Sequence, residues 1–268
     1  MCKYVKKVAE KEFANGRVYA LQTEDGYPLE VTTTFLPYYT KDAIGRKQNK
    51  LDNYKLGDYS ERFMIGVSCQ SGCCVHCKFC CTGQLKKFRN LTAEEIVEQI
   101  EFAVNEVKKR DGFDFVNAKE HKINFTRMGS PFLNIDNVRK AIDVIDKKYP
   151  NTHNYISTIG IKGSDFSWIK GNTTLQISLH SLDEKRRDEL IPFKNKMTIE
   201  ELGQIRTNSN LKTTVNLTLV DTEDFNIEKL YKYFDPKYFF IKLSPINVNA
   251  VSEANNMGNG IIEGINLV

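Results

Sequence analysis

The chain has 268 residues, 38 Lys and Arg against 34 Asp and Glu, a net charge of +4 and a hydrophobic fraction of 41%. That is enough apolar material for one large core or two small ones, and the weak positive charge allows a nucleic-acid partner without arguing for one. No apolar run reaches membrane-spanning length. The start, Met1 to Lys7, is charged with no apolar stretch behind it, unlike a signal peptide, so the expected compartment is a reducing cytoplasm.

Residues 1–60 read as an extension. Arg17–Thr23 alternates and is rich in strand formers, Glu24-Asp25-Gly26 offers a turn, and Leu29–Leu36 reads as the return strand of a β-hairpin. Residues 38–60 are polar and read as an exposed loop. From residue 61 strands alternate with helices. Phe63–Val67 is a short apolar strand, Thr92-Ala93-Glu94-Glu95 is a capping box, and Ile96, Ile100, Ala103, Val104 and Val107 follow at helical spacing. Then come a strand at Ile123–Met128, a Gly129-Ser130-Pro131 turn, and a helix with Val138, Ala141, Ile142 and Ile145 on one face. Asn154–Thr158, Thr174–Leu179, Thr213–Leu219 and Tyr238–Leu243 read as four further strands, with helices near 183–190, 199–206 and 226–233.

This alternation implies a parallel sheet with right-handed crossovers. Six strands are too few to close an eight-stranded barrel, so the expected fold is α/β, a partial open (β/α)6 barrel over 61–250, preceded by the 1–60 extension and followed by a short tail at 251–268. Active sites of such barrels gather at the C-terminal strand ends. Ser157, Ser178-Leu179-His180 and Pro245-Ile246-Asn247 all fall there.

So does the run from Cys69 to Cys81, which holds six of the seven cysteines. Cys73, Cys77 and Cys80 form a C-x3-C-x2-C set, and thiolate is the soft ligand that iron–sulfur clusters and zinc prefer. A zinc ribbon needs a second Cys or His pair far along the chain, which is lacking: Cys2 is the only other cysteine, and His121, His153 and His180 are scattered. Three cysteines leave one iron of a four-iron cluster open, the mark of a catalytic site. Cys69, Cys74 and Cys81 are surplus to such a cluster.

The spacing, with Phe79 before the last cysteine, resembles the signature of the radical S-adenosylmethionine (SAM) superfamily. A closer resemblance is to the RlmN/Cfr-type RNA adenine methyltransferases. It rests on Val67–Cys73, Cys81-Thr82-Gly83, Phe88–Ile96, Met128–Asn134, Ser178-Leu179-His180 with Arg187–Pro192, and Ser244–Asn247. The resemblance implies a [4Fe–4S] cluster on Cys73, Cys77 and Cys80, and SAM contacts from Gly129, Ser130, Ser157, Ser178, Leu179, His180 and Asn247. A core role and a ligand contact stay open for His180. It further implies a reductant such as flavodoxin or ferredoxin, and an RNA or nucleotide substrate. Ser130 stands where the family has a glutamate that accepts from the ammonium of SAM.

Two thiols carry the family's methyl transfer. One lies seven positions before the first cluster cysteine, where this chain has Gly66; the other lies past the last strand, and no cysteine follows Cys81. The family's general base aligns with Thr32, with Glu30 two residues away. Cys69 and Glu30 are the remaining candidates for catalytic residues. The expected function is therefore reductive SAM cleavage acting on a nucleobase or RNA-related substrate. The alternatives are an RNA adenine methyltransferase with thiols supplied elsewhere, and a non-catalytic SAM- or RNA-binding iron–sulfur or zinc protein.

Overall fold

The computed structural model describes residues 3–35, 40–41, 47–48, 57–220 and 224–258. One sheet of nine strands runs in chain order: β1 (Val5–Phe13), β2 (Gly16–Thr23), β3 (Pro28–Thr34), β4 (Arg62–Val67), β5 (Glu120–Phe125), β6 (His153–Thr158), β7 (Thr173–Ser178), β8 (Thr213–Leu219) and β9 (Phe239–Pro245). The pairings of β1 with β2, β2 with β3 and β3 with β4 are antiparallel. Every pairing from β4 to β9 is parallel. The six parallel strands are the expected open barrel.

The extension is a three-stranded meander rather than a hairpin, and it joins the barrel sheet directly. β1 escapes sequence reading because its nine residues, VKKVAEKEF, are mostly charged and only Val5 is buried. Charge on an edge strand is a common device against edge-to-edge pairing. The polar 38–60 stretch lies largely outside the described residues, as does the end of the 251–268 tail.

Strand alternation divides the barrel cleanly. Phe63, Ile65 and Val67 of β4, Ile123 and Phe125 of β5, and Leu175 and Ile177 of β7 are buried under the helices. Their neighbours Arg62, Lys122, Asn124, Tyr155, Gln176 and Ser178 face the lumen and are half-buried. Helix α1 (Ala93–Asp111) starts at the expected capping box: Thr92 Oγ1 accepts from Glu95 N–H, and the Glu95 carboxylate accepts from Thr92 N–H. It ends at Gly112 in the left-handed region. Helix α2 (Ile135–Lys148) buries Val138, Ala141, Ile142 and Ile145. Both pack on the outer face, as do the short helices α3 (Glu184–Leu190), α4 (Ile199–Gly203) and α5 (Ile227–Tyr233). Between β6 and β7 the crossover carries no α-helix; Ile159, Ile161, Phe166 and Ile169 cover the sheet there instead. No helix among the described residues is long and apolar enough to cross a membrane.

Candidate active site

The cysteine run leaves the end of β4 and is tied down at its base. The backbone N–H groups of Cys69 and Gln70 both donate to the Met128 carbonyl, and Arg127 N–H donates to Val67 O. Gln99 from α1 clasps Ser68, accepting from its N–H and donating to its carbonyl. Asn134 Nδ2 donates to the carbonyls of Cys69 and Leu91. A short ladder of Gln70–Ser71 with Arg89–Asn90 closes the loop. Gly129 sits so close to Gln70 that a Cβ would stand 2.4 Å from the Gln70 Cβ, and its φ of +89° favours glycine as well. Ser130 N–H then donates to Gln70 Oε1, so the turn after β5 is fastened to the loop after β4.

The outer part of the loop is held from three directions. Lys78 N–H donates to Leu190 O at the end of α3. Asn249, the N-cap of α6 (Ala250–Ala254), donates to the Phe79 carbonyl and accepts from Cys81 Sγ. Asn255 Nδ2 donates to Lys78 O. Phe79 packs edge-on against the His180 ring, with centroids 4.9 Å apart.

Cys73, Cys77 and Cys80 are half-buried, while Cys74 and Cys81 are exposed. Burial pushes the Cys73 thiol up to about 11, with repulsion from Cys80 adding to it. Cys77 is pushed up further, first by burial and then by Cys80 and Cys73. The three sulfurs thus share one neighbourhood, and metal loading there must expel protons. Among the described residues no three Cys, His, Asp or Glu side chains converge on one point, as a single-ion site requires. A four-iron cluster puts each thiolate on its own iron and needs no single point of convergence. Cys69 is different: its thiol is 1% exposed, lies in the hydrophobic core and is raised strongly by desolvation. Cys69 is thus packed in the core rather than presented on a surface, unlike Cys74 and Cys81.

A cavity of about 700 Å³ opens beside Cys80 and Cys81, lined among others by Met128, Asn216, Thr218, Ser244 and Asn247. Of the residues expected to contact SAM, Asn247 lines it directly. Ser130 has a buried hydroxyl with no hydrogen-bond partner, beside Met128, an unsatisfied group that a ligand would complete. Ser157 and Ser178 share a 3.2 Å hydrogen bond between their hydroxyls. The backbone N–H groups of Leu179 and His180 donate to the Asn216 carbonyl, which sets these residues one layer behind the lining. His180 Nδ1 accepts from Thr218 N–H, and burial holds its pKa down near 3, with Arg187 contributing. It is a neutral, partly satisfied ring backing Phe79.

On the opposite wall the sequence points to Gly66, Thr32 and Glu30 but not to the packing between them. Thr32 of β3 and Gly66 of β4 are direct cross-strand partners. A Cβ on Gly66 would stand 2.5 Å from Thr32 Oγ1 and 2.9 Å from Arg127 Cδ. The Arg127 stem occupies that space, and its guanidinium is paired with the Glu30 carboxylate. Both Glu30 and Arg127 line the cavity. Asn216, Thr218, Asn249 and Arg127 are the site residues that sequence reasoning missed; the strand parity that places Ser178 would also have pointed to Asn216 and Thr218.

Comparison with known proteins agrees with this geometry. A family model for the radical SAM superfamily matches residues 67–234. The chain is 35% identical over 190 residues to a probable dual-specificity RNA methyltransferase RlmN of Koribacter versatilis, covering 69% of this chain and 51% of that protein. It is 35% identical over 194 residues to the corresponding protein of Pseudothermotoga lettingae, covering 68% and 54%. The chain thus spans about half the length of the curated relatives it matches. Its fold is similar to that of a radical SAM methyltransferase from Sphaerobacter thermophilus, with a TM-score of 0.71 and 23% identity over 97% of this chain and 71% of that one.

Proposed function

The chain belongs to the radical SAM superfamily, and from that premise we propose that Cys73, Cys77 and Cys80 hold the cluster of an enzyme that acts on a nucleobase-bearing substrate without the two-thiol methyl transfer of its relatives. It is a radical SAM enzyme, and its cofactors are a [4Fe–4S] cluster and SAM. When bound, they supply a 5′-deoxyadenosyl radical by reductive cleavage of the sulfonium. A flavodoxin or ferredoxin is the class of reductant this chemistry calls for.

The rest of the work falls to the chain's own side chains. Asn249, Asn255 and the Leu190 carbonyl fix the loop that carries the thiols. Ser130, with its unpaired hydroxyl, and Asn247, on the cavity wall, would orient SAM by hydrogen bonding. The Phe79–His180 pair and buried Leu179 keep water from the inner side.

One observation carries the reading against methyl transfer: the place of the relatives' thiol, Gly66, is walled by Thr32 and Arg127. A resolving thiol needs both a sulfur and room beside the substrate, and this wall offers neither. Glu30, the other candidate for a catalytic residue, is engaged by Arg127. An RNA adenine methyltransferase is the second reading, favoured by the names of the relatives at 35% identity. Anaerobic reconstitution with iron and sulfide, followed by dithionite and SAM, tests the enzymatic reading. The expected product is 5′-deoxyadenosine; a chain that takes up iron and sulfide yet forms none would be a binding protein instead.

A further inference from the structure

A second cavity, of about 640 Å³, lies beneath the mouth within the lumen, and Thr126 lines both. Residues two positions apart on the same strands divide between them: Asn124 below and Thr126 above, Thr214 below and Asn216 above, Lys242 below and Ser244 above. The two are levels of one lumen. With a strand rise of about 3.3 Å per residue, Lys122 lies roughly 13 Å below Thr126.

Four cationic side chains reach this lower level from separate elements: Arg62 of β4, Lys122 of β5, Lys212 just before β8 and Lys242 of β9. They face a single carboxylate. Glu120 pairs with Arg62 at 2.6 Å and with Lys122 at 3.1 Å. Lys212 Nζ donates to the Pro236 carbonyl, which carries no charge. Lys242 makes no ion pair with any described residue. His153 adds no negative charge: its Nε2 bonds Thr174 Oγ1 at 2.8 Å and its ring stacks on Tyr155 at 4.2 Å. Arg62 and Lys122 are half-buried in this cleft, whose low-dielectric walls focus their field, and Lys242 and Lys212 stand at its exposed rim. Hydroxyls and amides of Thr174, Thr214, Asn124 and Gln176 supply further polar partners. The volume falls in the range of small-molecule pockets.

We propose that the lower lumen is an anion subsite that takes the phosphate of a mononucleotide-sized substrate, whose base reaches up to the mouth. The assignment rests on the reading above that the substrate enters this lumen, and it deepens that reading from a nucleobase-bearing compound to a small phosphorylated one.

The test titrates the reconstituted full chain, its cofactor site filled with S-adenosylhomocysteine, with 5′-AMP and with adenosine by calorimetry. AMP should bind at least tenfold more tightly than adenosine at low salt and lose that margin as salt rises. Lys242→Gln and Lys122→Gln should each weaken AMP by roughly tenfold, the low end for a charge-assisted hydrogen bond. Lys147→Gln, on the exposed face of α2, should change it less than twofold. Lys242 is exposed, so its variant remains informative if Lys122→Gln fails to fold. Equal binding of AMP and adenosine, or equal losses in all three variants, would overturn the subsite. An RNA oligonucleotide that binds more tightly than AMP and weakens in Lys242→Gln would overturn the mononucleotide assignment in favour of a polymer. The titration needs no turnover. A chain that binds AMP but forms no deoxyadenosine breaks the enzymatic reading alone; one that forms deoxyadenosine but does not discriminate AMP breaks this subsite alone.

Discussion

The mouth of the barrel has two walls that have parted company. On one, the cysteine loop, the Gly129-Ser130 turn and the ends of β6, β7 and β9 keep the motif order of the relatives and are cross-tied by Gln70, Asn134, Asn249 and Asn255. On the other, β3 and β4 meet where Gly66 faces Thr32, and the Arg127 stem fills the gap with its guanidinium on Glu30. On the proposed reading the first wall holds the cluster and SAM through three thiols and several hydrogen-bonding groups. The second needs a free sulfur beside the substrate, and it carries a packed ion pair. Under the proposed function, cofactor handling and group transfer would occupy separable parts of one fold.

Breaking the first wall should have the largest effect. Cys73→Ala, Cys77→Ala and Cys80→Ala should each abolish the broad visible absorption of the reconstituted cluster and all deoxyadenosine formation. Cys74→Ala and Cys81→Ala should keep most of the absorption, because three thiolates suffice. Retention in Cys77→Ala with loss in Cys74→Ala would reassign the ligands.

Rebuilding the second wall comes next. Gly66→Cys forces a Cβ into Thr32 and Arg127, an overpacking worth about 1–3 kcal/mol. Thermal unfolding of the apo protein should fall by roughly 3–10 °C. Gly66→Cys/Arg127→Ser should recover part of that loss. Full stability in the single variant would mean that the wall is not packed as described.

Smaller effects sharpen the contrast. Ser130→Glu puts a charged acceptor where an unpaired hydroxyl now stands; SAM should bind about fivefold more tightly, the difference between a neutral and a charge-assisted bond. An unchanged affinity, measured by equilibrium dialysis, would mean that the turn does not face the ammonium. Asn249→Ala removes the clamp on Phe79 and Cys81 and should cost about 0.5–1.5 kcal/mol of apo stability. His180 is held near 3 by burial, below its unfolded value of about 6.5, so its stabilisation is full above pH 6.5 and is lost as pH falls toward 3. Between pH 7 and 6 that group accounts for about 0.7 kcal/mol, and His180→Asn should flatten the apo protein's denaturant midpoint over that interval accordingly.

The two walls also differed in how much of them could be read from residues alone. The cysteine spacing, the Thr92–Glu95 box and the apolar parity of β4 to β9 are local patterns, and the sheet follows them. The Arg127–Glu30 pair spans 97 positions and the Asn249–Phe79 bond 170, with no periodicity to announce either. Cys69 illustrates the same limit: nothing in its neighbours tells a core thiol from a surface one, since Cys74 and Cys81 share the run and are exposed. The lumen cations stand singly in four segments, and only the closing of the sheet brings them together. β1 was hidden for the opposite reason, its charge pattern serving the edge rather than a core.

The central claim, that this chain keeps the cofactor wall and has lost the transfer wall, is tested most directly in one incubation. The reduced, reconstituted protein is given methyl-labelled SAM with unmodified ribosomal and transfer RNA, and nucleosides are read by mass spectrometry beside 5′-deoxyadenosine. The account predicts deoxyadenosine with no labelled methyladenosine. Labelled methyladenosine formed in proportion to the enzyme would contradict it.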